Sequence, residues 1–162
     1  MHIYIRVFLI LLFRVLLALL INIIHQIGPD LDIVIDDGGH SMNQQITSFH
    51  TLFPLLKNKG LYVIEDLHTS YWRGYGGRKG KKHSTIGLIK HLIDEIHYWC
   101  YESLFTRIKY LMRRILGLSG GTAQFRFNPK NIYEESIHSI TIADSICFIK
   151  KEALPKYEIV KI

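Results

Sequence analysis

A chain of 162 residues with 48% hydrophobic and 21% charged side chains is long enough to bury one core and too short for two ordinary domains. That balance excludes a disordered or low-complexity protein. The formal net charge of +6 comes from scattered Lys and Arg, densest at Arg78, Lys79, Lys81 and Lys82 on a glycine-containing stretch; with no basic stripe or motif behind it, this reads as a solvated loop and not as a nucleic-acid surface.

Ile3 to Ile24 is almost wholly apolar, interrupted by Arg6, Arg14 and Asn22. Its length suits a membrane helix of roughly 20 residues, yet an arginine near mid-span costs ~2.5–3.5 kcal/mol, and no small-residue cleavage site follows. Three readings stay open: a buried or partner-covered helix, a membrane anchor, or an apolar leader helix over 1–24 created by truncation of a longer gene. The last is preferred, and leaves 25–162 as the folded part. Cys100 and Cys147 match no zinc or redox spacing and read as idle thiols in a reducing compartment, the cytoplasm, with membrane association through residues 3–24 as the alternative.

Gly28-Pro29 is a helix-end signal. Leu31 to Ile35, running into Asp36-Asp37-Gly38-Gly39-His40, reads as a buried parallel strand entering a loop. Met42 to Leu56 carries Ile46, Phe49, Leu52, Phe53 and Leu56 at helical spacing behind Ser41 as cap, with Asn58-Lys59-Gly60 ending the helix. Leu61 to Ile64 is a second strand, finishing in Glu65-Asp66, and the three elements form a βαβ unit. After the loop at 67–83, helices are expected over Ser84–Tyr101 and Leu104–Leu116. Ser136–Ile142 and Ser145–Lys150 then form a hairpin around Ala143-Asp144. The fold class is α/β, a parallel sheet with an antiparallel C-terminal hairpin.

In an open α/β sheet, ligands bind outside the carboxyl ends of the strands. Both predicted parallel strands end there in acids, and neighbouring strands lie ~5 Å apart. Carboxylates crowded in this way raise one another's pKa unless a cation sits between them. A hard divalent ion such as Mg²⁺, which keeps waters and leaves room for a substrate, is the natural occupant. His40, three residues past Asp37, is placed to remove a proton from a metal-bound hydroxyl. A lone strand-end Asp is more often a cap or loop hydrogen-bonder, and Asp36 fits that description. Asp32 and the other histidines are read as structural.

The same residues carry a resemblance. Asp36-Asp37-Gly38-Gly39-His40, then Phe49 with Leu52-Phe53-Pro54-Leu55-Leu56, Gly60 with Tyr62-Val63-Ile64-Glu65-Asp66-Leu67, and Thr69-Ser70-Tyr71-Trp72 resemble the macrocin/mycinamicin-type sugar O-methyltransferases. These are S-adenosylmethionine-dependent enzymes of macrolide biosynthesis with a Rossmann-like sheet, related to a cephalosporin hydroxylase-like group. The likeness runs from about Ile24 to Gly77 and continues loosely through Ser84-Thr85-Ile86-Gly87 and the hairpin. It implies Mg²⁺ on Asp37, Glu65 and Asp66, His40 as catalytic base, and S-adenosylmethionine against Asp36, Gly38 and Gly39. Tyr71 and Trp72 would cover a small-molecule hydroxyl acceptor; loop packing is the equal alternative for these two.

The departures concern the cofactor. Such enzymes hold it on their first strands, with a glycine-rich turn after the first, and Gly28 is the only glycine before Gly38. Three βα units need about 90 residues, and the short segment before Leu31 does not read as strands. The chain is therefore expected to be the C-terminal part of the fold with its N-terminal strands missing, and to bind S-adenosylmethionine weakly alone. Sheet edges left open make a homo-oligomer plausible. The alternatives are an inactive remnant without cofactor binding and a membrane-anchored, non-enzymatic protein.

Overall fold

The structure, a computed structural model, describes residues 7–10 (backbone only), 28, 30–97, 108, 111–112, 115–117 and 130–153. Five strands form one sheet in the order β1-β2-β3-β5-β4: β1 (Val7–Ile10), β2 (Leu31–Asp36), β3 (Leu56–Ile64), β4 (Ile137–Ala143) and β5 (Ile146–Lys151). β1 and β3 flank β2 in parallel, while β5 runs antiparallel to β3 and to β4. Among the described residues, the helices α1 (Met42–Leu52), α2 (Thr85–Ile96) and the short α3 (Ile132–Ser136) accompany the sheet.

β1 corrects two expectations. Part of the presumed leader helix is a strand, Val7–Ile10, paired with Ile33–Asp36, so a strand does precede Leu31. A continuous apolar run fits a strand buried in a parallel sheet as well as a buried helix, and periodicity cannot separate them. Residues 11–27 lie outside the described ones. Among the described residues, no helix is long and apolar enough to cross a membrane.

α1 also ends sooner than its apolar spacing suggests. Pro54 cannot donate to a continuing helix, so after Leu52 the chain tightens into one 3₁₀ turn, Phe53–Leu55. It enters β3 at Leu56, five residues ahead of the expected start. Gly60 is required within that strand: a Cβ there would lie 2.9 Å from the Lys57 carbonyl and 3.2 Å from that of Asp32. The Lys151 ammonium, at the end of β5, donates to the carbonyls of Pro54 at 2.8 Å and Leu56 at 2.7 Å. A cation thus satisfies acceptors where the chain passes from the 3₁₀ turn into β3.

The core lies between the sheet and the helices. Val34, Phe49, Leu52, Phe53, Tyr62, Ile64, Ile89, Leu92, Ile137 and Ile149 are fully or almost fully buried. Phe49 is its aromatic centre, 5.0 Å from Phe53, 5.2 Å from Tyr62 and 5.6 Å from Tyr133 between ring centroids. α2 opens on Ser84, whose hydroxyl accepts from the Gly87 amide. It ends at Ile96, short of the expected Tyr101; residues 98–101 lie outside the described set, as does most of Leu104–Leu116. α3, which alternation did not reveal, is capped by the Asn131 side chain. The hairpin turn is Asp144-Ser145, one residue later than expected, with Ser145 at φ 63°.

Candidate metal and catalytic site

β2 and β3 are hydrogen-bonded neighbours, with Asp36 opposite Ile64, so their carboxyl ends open on one place. From Asp36 the chain turns through Asp37, Gly38, Gly39 and His40 before Ser41 caps α1. From Ile64 it passes Glu65, whose amide donates to the Asp36 carbonyl at 3.0 Å. It then bends at Asp66 into a 3₁₀ helix, Leu67–Tyr71. His40 and Asp66 both adopt left-handed backbone, φ 53° and 54°, a conformation costing about 1–3 kcal/mol outside glycine. Surrounding contacts hold both turns. The buried Thr69 hydroxyl lies 3.0 Å from the His40 carbonyl and 2.7 Å from that of Asp66, and Gln45 donates to the Glu65 carbonyl at 2.8 Å.

The product of these two bends is a cluster. Asp37, His40 and Asp66 each bring one ligand atom within 4.8 Å of the others. His40 Nε2 is 3.4 Å from an Asp66 carboxylate oxygen, while His40 Nδ1 is buried with no hydrogen-bond partner among the described residues. A buried unsatisfied nitrogen is costly. Two carboxylates beside an imidazole offer the oxygen-rich donor set that a hard divalent cation prefers. The residues present fit such an ion.

The other expected site residues are placed differently. Asp36 alternates to the opposite side from Asp37 and is 2% exposed; the Tyr62 hydroxyl donates to it at 3.3 Å. Burial raises its pKa to about 7, against the opposing pull of the Tyr62 and Gly38 hydrogen bonds. Its side chain therefore serves the interior, the structural role expected of a lone strand-end acid. Glu65 is half-buried beside Asp66, and its side chain is not one of the three that cluster. Gly38 is buried and Gly39 half-buried in the loop between the acids and His40. Tyr71 and Trp72 are 51% and 52% exposed, on the segment that leaves Asp66. A cavity of about 700 Å³ lies alongside, with Ile46, Tyr71, Lys79, Lys81, Lys90 and Asp94 in its walls. No member of the Asp37–His40–Asp66 cluster lines it.

Thr69 and His68 were missed by reading the sequence. A threonine three residues past a strand-end acid carries no signal of its own. His68 is one of nine histidines, and nothing in its local pattern separates it from the others.

No family model matches the chain. Individual proteins do. Over 74 residues it is 53% identical to 8-demethyl-8-(2-methoxy-alpha-L-rhamnosyl)-tetracenomycin-C 3'-O-methyltransferase of Streptomyces olivaceus, covering 44% of this chain and 19% of that protein. Over 95 residues it is 47% identical to demethylmacrocin O-methyltransferase of Streptomyces fradiae, covering 56% and 24%. Over 101 residues it is 44% identical to mycinamicin VI 2''-O-methyltransferase of Micromonospora griseorubida, covering 60% and 25%. Among solved structures it resembles the MycE methyltransferase of the mycinamycin biosynthetic pathway in complex with Mg, SAH and mycinamycin VI. The TM-score is 0.63 at 29% identity, over 83% of this chain and 29% of that one. The chain spans about a quarter or less of the length of these curated relatives. In sequence and in fold, then, it is similar to one part of the sugar O-methyltransferases of macrocin, mycinamicin and tetracenomycin type.

Proposed function

We propose that this chain carries the metal and proton-transfer part of an S-adenosylmethionine-dependent, Mg²⁺-assisted O-methyltransferase acting on a hydroxyl of a sugar or other small natural product. The observation that carries this reading is the convergence of Asp37, His40 and Asp66 within a segment so similar to sugar O-methyltransferases. Asp37 and Asp66 would hold the cation. Glu65, which the family resemblance makes a third ligand, stands one residue from Asp66 at the same strand end. The bound ion would supply Lewis acidity, lowering the pKa of the acceptor hydroxyl. His40 brings Nε2 to the same place, 3.4 Å from the Asp66 carboxylate, where an imidazole would serve as the base for the acceptor hydroxyl. The Asp66 carboxylate, at that distance, would orient the ring. The loop backbone at Asp36, Gly38 and Gly39 would face the cofactor, and the exposed Tyr71 and Trp72 the acceptor. A free thiol at Cys147 supports a cytoplasmic setting, since disulfides are rare in reducing compartments.

The test is direct. Mn²⁺ titrated into the chain and followed by electron paramagnetic resonance should saturate a single site. Asp37→Asn and Asp66→Asn should each weaken that binding by about 10- to 100-fold, the loss of one charged ligand contact at ~1.5–3 kcal/mol. In a form that methylates, His40→Ala should lower kcat far more than it weakens metal binding. Mn²⁺ that never saturates, or that ignores both aspartates, would remove this reading.

A further inference from the structure

We infer that His68 is a positioning residue for the metal site, tying the turn that carries Asp66 to the turn of the distant β4–β5 hairpin. The inference rests on the proposed function, because it concerns how that site is held.

Three contacts meet at this side chain, and a backbone bond lies beside it. His68 Nδ1 lies 2.6 Å from the Ser145 hydroxyl and 3.9 Å from an Asp66 carboxylate oxygen. Its ring meets the Trp72 ring edge-on, with centroids 4.5 Å apart. The Leu67 amide, in the residue between Asp66 and His68, donates to the Ser145 carbonyl at 3.0 Å. The turn that carries Asp66 is thus held to another turn 77 residues from His68, through one side-chain and one backbone bond to the same serine, with the Asp66 carboxylate beside the ring but not hydrogen-bonded to it. Both ends of this clasp are in left-handed backbone, Asp66 at φ 54° and Ser145 at 63°. Neither conformation is favoured by the residue alone, so each turn depends on contacts such as these.

The half-exposed Asp66 and His68 side chains would otherwise be free to choose among rotamers. A carboxylate that must meet a cation binds it more tightly when it is held beforehand, and outer-sphere partners of metal ligands typically account for 10–100-fold in affinity. The Trp72 contact extends the same clasp to the segment proposed to face the acceptor. His68 therefore couples hairpin, metal ligand and acceptor segment.

The experiment measures Mn²⁺ affinity of the whole chain by paramagnetic resonance, beside its melting temperature without metal. His68→Phe keeps the ring against Trp72 and removes the polar contacts. Ser145→Gly removes the hydroxyl while tolerating positive φ, and His68→Gln keeps a group able to bond Ser145. The expected result is a loss of about tenfold for His68→Phe and for Ser145→Gly, and no further loss in the double variant, because both break one clasp. His68→Gln should stay within about threefold of the parent, and metal-free melting should be much the same in every variant. Should His68→Phe misfold, Ser145→Gly carries the same comparison. Affinity unchanged in His68→Phe or Ser145→Gly, additive losses, or a glutamine variant as weak as the phenylalanine one would overturn the inference while leaving the metal reading intact. A parent chain that binds no Mn²⁺ would overturn both.

Discussion

Asp36 and Asp37 are neighbours in the chain and live in different media. Asp36 points between sheet and helices, dry, beside Tyr62 and close to the aromatic group around Phe49. Asp37 lies on the part-exposed side at the strand ends, the cleft side, where it meets His40 and Asp66. The alternation of a strand, period two, does the sorting. What the difference teaches is that a pair of acids at a strand end need not be a pair of ligands. One carboxylate faces a surface where charge is stabilised by water or a cation; the other faces a medium in which charge is resisted and neutral carboxyl favoured.

The dry side should therefore respond to loss of volume and the cleft side to loss of charge. Phe49→Ala, which removes the ring shared by Phe53, Tyr62 and Tyr133, should cost ~3–5 kcal/mol in urea denaturation. Asp37→Asn should leave metal-free stability within ~0.5 kcal/mol, as for substitutions away from core and network. Equal destabilisation by the two would erase the distinction between the sides.

Asp36 itself gives the next largest effect, visible only against pH. Its folded-state pKa, about 7, lies above the ordinary 3.8, so between these values the unfolded chain has released a proton that the folded chain keeps. Stability should fall as pH rises through this window and level off above it. The whole fall is on the order of 4 kcal/mol at 1.36 kcal/mol per unit. Asp36→Asn, neutral throughout, should flatten that part of the profile and be the more stable protein at pH 8. Melting temperatures from pH 4 to 8, in chelator to keep the cleft free of metal, check it. A parallel decline in the Asn variant would mean that Asp36 is not the group responsible.

The same contrast explains what the sequence made legible. β2, α1 and the carboxyl end of β3 follow from apolar periodicity and a run of acids and glycines, which are local signals. So does the pairing of Asp37 with Asp66, once two successive parallel strands are taken as adjacent. β1 was hidden because its four residues sit inside a longer apolar run that carries no period. The true start of β3 was hidden because Lys57, Asn58 and Lys59 look like a helix end; they join the strand only because Pro54 has already stopped the helix. Which of Asp36 and Asp37 turns inward depends on the exact register at the strand end, and periodicity leaves boundaries loose by a residue or more. His68 and Thr69 owe their importance to partners far away, Ser145 and His40, and no local pattern encodes a partner across 77 or 29 residues.

The smaller predictions carry the comparison to the two serine caps, one in each medium. Ser84 is 2% exposed; its hydroxyl accepts from the Gly87 amide at 3.0 Å and donates to the Lys81 carbonyl at 2.7 Å. Removing it leaves both part-buried partners without this serine, so Ser84→Ala should fall at the upper end of the cap range, ~1–2 kcal/mol.

Ser41, by contrast, is half-buried at the cleft, directly after His40, and accepts from the Gln44 amide at a long 3.4 Å. Its shorter bond, 2.6 Å, is to the Gln44 side-chain oxygen, which water can replace on a half-exposed surface. Ser41→Ala should then cost only ~0.5 kcal/mol, the low end for a cap. The loop would keep its shape through the Thr69 hydroxyl at the His40 carbonyl and the Ser41 amide bond to the Gly39 carbonyl at 2.7 Å, neither of which needs the serine side chain. Mn²⁺ affinity should accordingly change by less than about threefold, the equivalent of ~0.6 kcal/mol. Paired denaturation curves for Ser41→Ala and Ser84→Ala decide the matter. If the cleft serine proves the costlier of the two, its cap is holding the His40 turn directly, and the metal site leans on α1 more than on Thr69.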